Sequence, residues 1–146
     1  MNKHFSLAVA CVLVFAGAAA ADEIEDRQAL MKRNGDTMKI LAPMAKGEAP
    51  YDQAAAMEGF QQFVDTADRL PDLFPESSQT GGDTEASPKI WEDQAGFETQ
   101  IDAFREDSEA ALAAAPADLA SFQAAFGAVA ENCGDCHETY RVEKEN

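Results

Sequence analysis

Apolar residues along this chain recur at spacings of three and four, and no segment sustains the two-residue alternation of a half-buried strand. The pattern predicts helices joined by loops. A first helix is expected from about Asp22 to Lys46, with Ile24, Met31, Met38, Leu41 and Ala45 on one face and Pro43 kinking its last turn. Gly47 to Pro50 breaks the pattern. A second helix is expected from Tyr51 to Leu70, carrying Ala56, Phe60, Phe63, Ala67 and Leu70 on one face and ended by Pro71 and Pro75. Residues 75–87 (PESSQTGGDTEAS) read as a polar loop. Ser87 followed by Pro88 predicts a third helix, hydroxyl cap first and proline at the first helical position, with Trp91, Phe97, Ile101, Phe104, Ala111 and Leu112 facing inward. Pro116 is expected to open a last helix running to about Val142. Its Leu119, Phe122, Phe126, Val129, Cys133, Cys136 and Tyr140 form a seven-residue repeat suited to helix packing at shallow crossing angles.

Four amphipathic helices with two short connections and one longer one predict an all-α fold, an antiparallel up-down-up-down four-helix bundle. The N-terminus is set apart. Lys3, the apolar run Leu7 to Phe15 and the small residues Ala18 to Ala21 read as a signal peptide over residues 1–21, cut before Asp22 and leaving one domain over 22–146. Cys11 gives a lipobox-like stretch, but it lies inside the apolar run instead of closing it. No second apolar stretch is long enough to span a bilayer, so a soluble periplasmic protein without membrane insertion is expected.

Removing the signal changes the chemistry. The remaining 125 residues hold 27 acids and, with Lys3 gone, 10 bases, a formal charge of −17. Such acidity argues against nucleic acid and anionic membranes as partners. Cys11 and His4 leave as well. Two cysteines and one histidine remain, all within Cys133-Gly134-Asp135-Cys136-His137.

That C-x-x-C-H run is the attachment pattern of haem c. Two sulfurs three residues apart on a helix reach both vinyl groups of one porphyrin, and the histidine that follows presents its imidazole to the iron. One covalent haem is therefore expected, held by Cys133 and Cys136 with His137 as an axial ligand. The motif occupies core-facing positions, so the haem is expected inside the bundle. A structural zinc site would need a fourth ligand. A thioredoxin-like dithiol would sit after a strand at a helix N-terminus, not deep within a helix.

These residues resemble a known family. C-x-x-C-H near the end of a four-helix bundle, continued as His137-Glu138-Thr139-Tyr140-Arg141, is similar to the class II c-type cytochromes, the cytochrome c prime family. Arg27-Gln28-Ala29-Leu30-Met31, Ala49-Pro50-Tyr51-Asp52 and Pro88-Lys89-Ile90-Trp91 carry the resemblance over essentially the whole mature chain. The family contains a five-coordinate, gas-binding branch and a low-spin, methionine-ligated branch, cytochrome c-556. The stretch Leu30 to Met38, followed by Met44-Ala45-Lys46-Gly47-Glu48, looks more like the second.

Geometry singles out one methionine among Met31, Met38, Met44 and Met57. In this topology the first and last helices are antiparallel neighbours, so the start of one is level with the end of the other. Met31 is expected level with His137, whereas Met38 sits about 10 Å further along the axis. Met31 is thus the expected second axial ligand; the competing reading is a methionine that fills the core. Arg27, one turn before Met31, is read either as a partner of a haem propionate or as a surface arginine. The resemblance implies an arginine near the proximal face at Arg141, and a favourable charge at a helix C-terminus explains it equally well. Arg27, Lys32, Arg33, Lys39 and Lys46 place half the mature bases on the first helix, either as a solvated face or as a docking patch.

The expected function is electron transfer with unidentified redox partner proteins, by a low-spin His/Met haem. The alternative is a five-coordinate haem that binds nitric oxide or carbon monoxide. No enzyme activity is expected, since the only histidine is occupied and no nucleophile–base pair is visible. Monomer and dimer both fit.

Overall fold

The computed structural model describes residues 17–142, with side chains from residue 23 onward. Most of the expected signal peptide, residues 1–16, lies outside the described residues. Four long helices make up the bundle: α1 (Gly17–Ala45), α2 (Gln53–Arg69), α4 (Gln94–Ala114) and α5 (Leu119–Tyr140), with a one-turn helix α3 (Lys89–Glu92) before α4. Among the described residues there is no strand, only an isolated antiparallel bridge between Ala86 and Arg141. The helices form a ring in which α1 packs on α2 and α5, and α4 packs on α2 and α5, so that α1 and α4 stand diagonally opposed. That is the up-down-up-down bundle.

Helix ends follow local chemistry. α1 begins five residues before the expected boundary, where the alanines that precede Asp22 favour continued helix. Asp52 caps α2 by accepting from the Ala55 N–H at 3.1 Å. α2 stops at Arg69, because Pro71 tightens the chain into a 3₁₀ turn, Leu70–Leu73. The third helix is not continuous. Asp93 leaves helical geometry at φ −136° and ψ 59°, ends α3, and caps α4 through the Gly96 N–H. α5 starts at Leu119 instead of Pro116, since Asp118 and Ser121 form a reciprocal capping box. It ends at Tyr140, two residues short of Val142, because 141–142 turn out to meet the 84–86 segment.

The core divides in two along the bundle. Phe60, Phe63, Phe104, Phe122, Phe126, Val129 and Leu41 close one cluster between all four long helices. Each fully buried phenyl ring contributes roughly 2–3 kcal/mol relative to an exposed one. The second cluster gathers Leu30, Leu70, Leu73, Ile90, Phe97, Ile101 and Tyr140 at the other end. Beside the first cluster, Gly59 lets α1 and α2 approach closely, since a Cβ at that position would lie 2.6 Å from Leu41 Cδ1. No described helix is long and apolar enough to cross a membrane.

Candidate functional site

At the end of the bundle occupied by the second core cluster, α1 and α5 do not close on each other. A cavity of about 420 Å³ opens there, walled by α1, the last turns of α5, the start of α4 and the segment from Leu70 to Ala86. Leu70, Phe74, Ala86 and Phe97 give it an apolar lining. Met31 enters from α1, and Cys136 and His137 from α5. Among the described methionines only Met31 lines this space. Met38 packs at the first core cluster, and Met44 is buried there with its sulfur accepting from the Asp52 N–H at 3.3 Å.

Cys133, one turn before Cys136, is half-buried but lies off the lining, and its thiol points back to the Val129 carbonyl at 3.9 Å. Both thiols are held protonated. Burial pushes Cys133 up, and burial together with the neighbouring Cys133 pushes Cys136 up to about 11. A dithiol redox centre needs a thiolate near neutral pH, so this environment disfavours one. Among the described residues no three His, Cys, Asp or Glu side chains converge as a metal cluster would require. Burial, then the Arg141 charge, lowers the His137 imidazole pKa, with Glu85 opposing. The donor set suits haem c: two soft thiols and an imidazole on one helix, a thioether on the facing one, around an apolar space.

Arg27 is not a surface arginine. It is 5 % exposed and stacks 4.9 Å over the Phe74 ring. Its Nη1 donates to Leu73 O at 3.0 Å and Ser78 Oγ at 2.8 Å; its Nη2 donates to Ser78 O at 2.9 Å and Thr84 Oγ1 at 2.6 Å. Four of the five guanidinium N–H groups are thereby used inside the protein, leaving Nε–H for any ligand in the cavity. Burial lowers its pKa, with Glu23 opposing. Arg141 also lines the cavity, with Nε and Nη2 both 2.7 Å from Glu85 Oε2. It is an ion-paired side chain instead of a bare charge at a helix end.

The sequence reading missed the segment from Phe74 to Ser87 as part of the site. Gln28 Nε2 donates to Asp83 O at 3.0 Å, and Trp91 Nε1 to Phe74 O at 3.0 Å. Ser87 N donates to Tyr140 O and Val142 N to Glu85 O, both at 2.9 Å. The available signal was Arg27 itself: a cation on an apolar helix face must find oxygen acceptors, and Ser78 and Thr84 supply hydroxyls.

The chain is similar over most of its length to known proteins. The family model described as Cytochrome C′ matches residues 22–141. The chain is 40% identical to a cytochrome c′ of Rhodopseudomonas palustris over 99% of each chain. It is 39% identical to a cytochrome c-556 of Agrobacterium fabrum over 88% of each. The solved structure of a cytochrome c′ from Rhodopseudomonas palustris superposes with a TM-score of 0.80 at 41% identity, covering 85% of this chain and 98% of that one.

Proposed function

This chain belongs to the cytochrome c′ family, a family of haem proteins with one covalent haem c, and from that premise we propose that it is a periplasmic electron carrier with six-coordinate, low-spin iron. In this reading Cys133 and Cys136 would hold the haem covalently, and His137 and Met31 would supply the imidazole and thioether ligands to its iron. The observation that carries this reading is that Met31 and His137 line one cavity from facing helices while the other described methionines lie elsewhere.

When bound, the haem would supply reversible one-electron redox chemistry. The chain's own residues make that exchange simple. Met31 and His137, entering the cavity from facing helices, would hold the group from two sides and keep water and small ligands away from it. The Met31 thioether raises the potential relative to a second imidazole. Leu70, Phe74 and Phe97 exclude water from the cavity walls. Arg27 holds the loop that closes the cavity, and its Nε–H is the group it can offer to a propionate.

A second reading, a five-coordinate haem that binds nitric oxide or carbon monoxide, is favoured by one observation: the cytochrome c′ relative is as similar to this chain as the cytochrome c-556 relative. Oxidised and reduced visible spectra separate the two. Thioether ligation gives sharp bands on reduction and a weak sulfur-to-ferric-iron charge-transfer band. Broad high-spin spectra would refute the first reading. With Met31 as ligand, ferrous Met31→Ala protein should bind carbon monoxide and the parent should not.

A further inference from the structure

Charge is segregated across the bundle. From Lys32 to Lys46 the chain carries four bases and one acid, in a mature protein of formal charge −17 once Lys3 is removed. The diagonally opposed α4 carries five acids, Glu98, Asp102, Glu106, Asp107 and Glu109, against Arg105 alone. Arg105 is itself taken up by Asp68 and Asp102. On α1 the bases face water: the Lys32 and Lys39 side chains are 79% and 78% exposed. Asp36 holds both ammonium groups, at 3.0 and 2.8 Å, so the two lysine charges converge on one carboxylate and form a single ordered cluster on the exposed face of α1. Beside them Ile40 is 57% exposed, the more exposed of the two large apolar side chains open to water among the described residues.

We propose that this face of α1, formed by Lys32, Arg33, Lys39 and Ile40, is the docking surface for a redox partner that presents an acidic patch. The inference rests on the electron-carrier reading above. A dipole running from α4 to α1 turns the basic face toward an acidic partner during encounter, even though the net charge is negative. Ile40 supplies the apolar contact that a purely solvated helix face does not need. The docked partner then sits against the helix that brings Met31 to the cavity. An anionic membrane fits less well, because the net charge repels it and one isoleucine is no apolar stripe.

The test uses the haem-loaded protein and two small oxidants, ferricyanide as anionic probe and tris(phenanthroline)cobalt(III) as cationic probe. One electron leaves the ferrous iron and reduces ferricyanide to ferrocyanide, or cobalt(III) to cobalt(II). Two variant pairs change the net charge equally: Lys32→Gln with Lys39→Gln on α1, and Thr99→Glu with Ala110→Glu on the exposed side of α4. At low ionic strength the α1 pair should slow ferricyanide by about tenfold, within the range of electrostatic steering. The α4 pair should change it much less, and the cobalt reaction should respond in the opposite sense. Binding is read independently: a polyglutamate peptide should shift the amide resonances of residues 32–40 in the parent and not in the α1 pair. Equal slowing by both pairs, or no slowing by either, would overturn the proposal. So would binding to anionic vesicles, or a dimer seen by sedimentation, that the α1 pair abolishes, since the face would then belong to a membrane or a second copy. Failure of the carrier reading looks different: the iron would not cycle reversibly, or its spectra would be high-spin, before any variant is made.

Discussion

Arg27→Ala is the substitution with the most to reveal, because it removes one side chain and strands four acceptors. Leu73 O, Ser78 O, Ser78 Oγ and Thr84 Oγ1 all receive hydrogen bonds from its guanidinium, and Phe74 loses the cation stacked on its ring. A buried acceptor left without a donor costs about 1–3 kcal/mol, and bonds to a charged group lie toward the upper end. The four penalties do not add, since the 73–84 segment can open and let water in. The expected loss is therefore about 3–5 kcal/mol, a large share of a total near 5–15 kcal/mol. Urea unfolding of the haem-loaded protein measures it, and amide exchange locates it: protection should fall first at residues 73–86, with α2 and α4 little changed. Arg27→Lys should recover less than half, because one ammonium cannot span acceptors arranged around a planar fork. A loss below about 1 kcal/mol, with exchange unaltered in that segment, would refute the idea that this arginine holds the cavity wall.

Two further expectations test the frame. Gly59→Ala places a methyl group 2.6 Å from Leu41 Cδ1 and 3.0 Å from Thr37 Cγ2, so overpacking should lower the unfolding free energy measured in urea by about 1–3 kcal/mol. Asp118→Ala should weaken the start of α5, and the effect should depend on pH. Hydrogen bonds from the Ser121 N–H and hydroxyl lower the Asp118 pKa, so its stabilisation is present above the unfolded carboxyl value and is lost as pH falls through the lower folded one. Melting temperatures of parent and variant should accordingly converge on acidification; a constant difference would contradict the assignment.

The parts of this fold that were legible in the sequence are those governed by periodicity and by residue scarcity. The three-and-four spacing in α5 set Phe122, Phe126, Val129 and Tyr140 in the core, where they are buried. The concentration of two of the chain's three cysteines and one of its two histidines in one five-residue run pointed to its cofactor. What escaped was decided by side chains that act across space. Nothing local distinguishes Asp93 from the other acids of the third helix, yet it breaks the chain because its carboxylate serves both the Gly96 N–H and the Tyr140 hydroxyl. The polar loop was visible as a loop, but its role was not, because Ser78 and Thr84 become structural only when a buried guanidinium 51 and 57 residues earlier meets them. Ile90 and Leu73 were missed as core for the same reason: their burial depends on the short turns flanking the cavity.

The register between α1 and α5 shows how the site is specified at a distance. Gln123 Nε2 donates to Ala45 O at 2.7 Å, which fixes the C-terminal end of α1 opposite the early turns of α5 at the far end of the bundle from the cavity. Met31 lies 14 residues before Ala45, and His137 lies 14 residues after Gln123. In antiparallel helices both counts run in the same direction, so the same rise of about 21 Å brings the thioether and the imidazole to one level. Met38, half that distance up α1, falls among the residues of the first core cluster instead. A single-residue deletion between Met31 and Ala45 would move the thioether about 1.5 Å along the axis and about 100° around the helix. It would leave His137 facing the cavity with no sulfur opposite, although the attachment motif itself is untouched. The choice between a closed and an open iron thus depends on helix length as much as on the identity of residue 31.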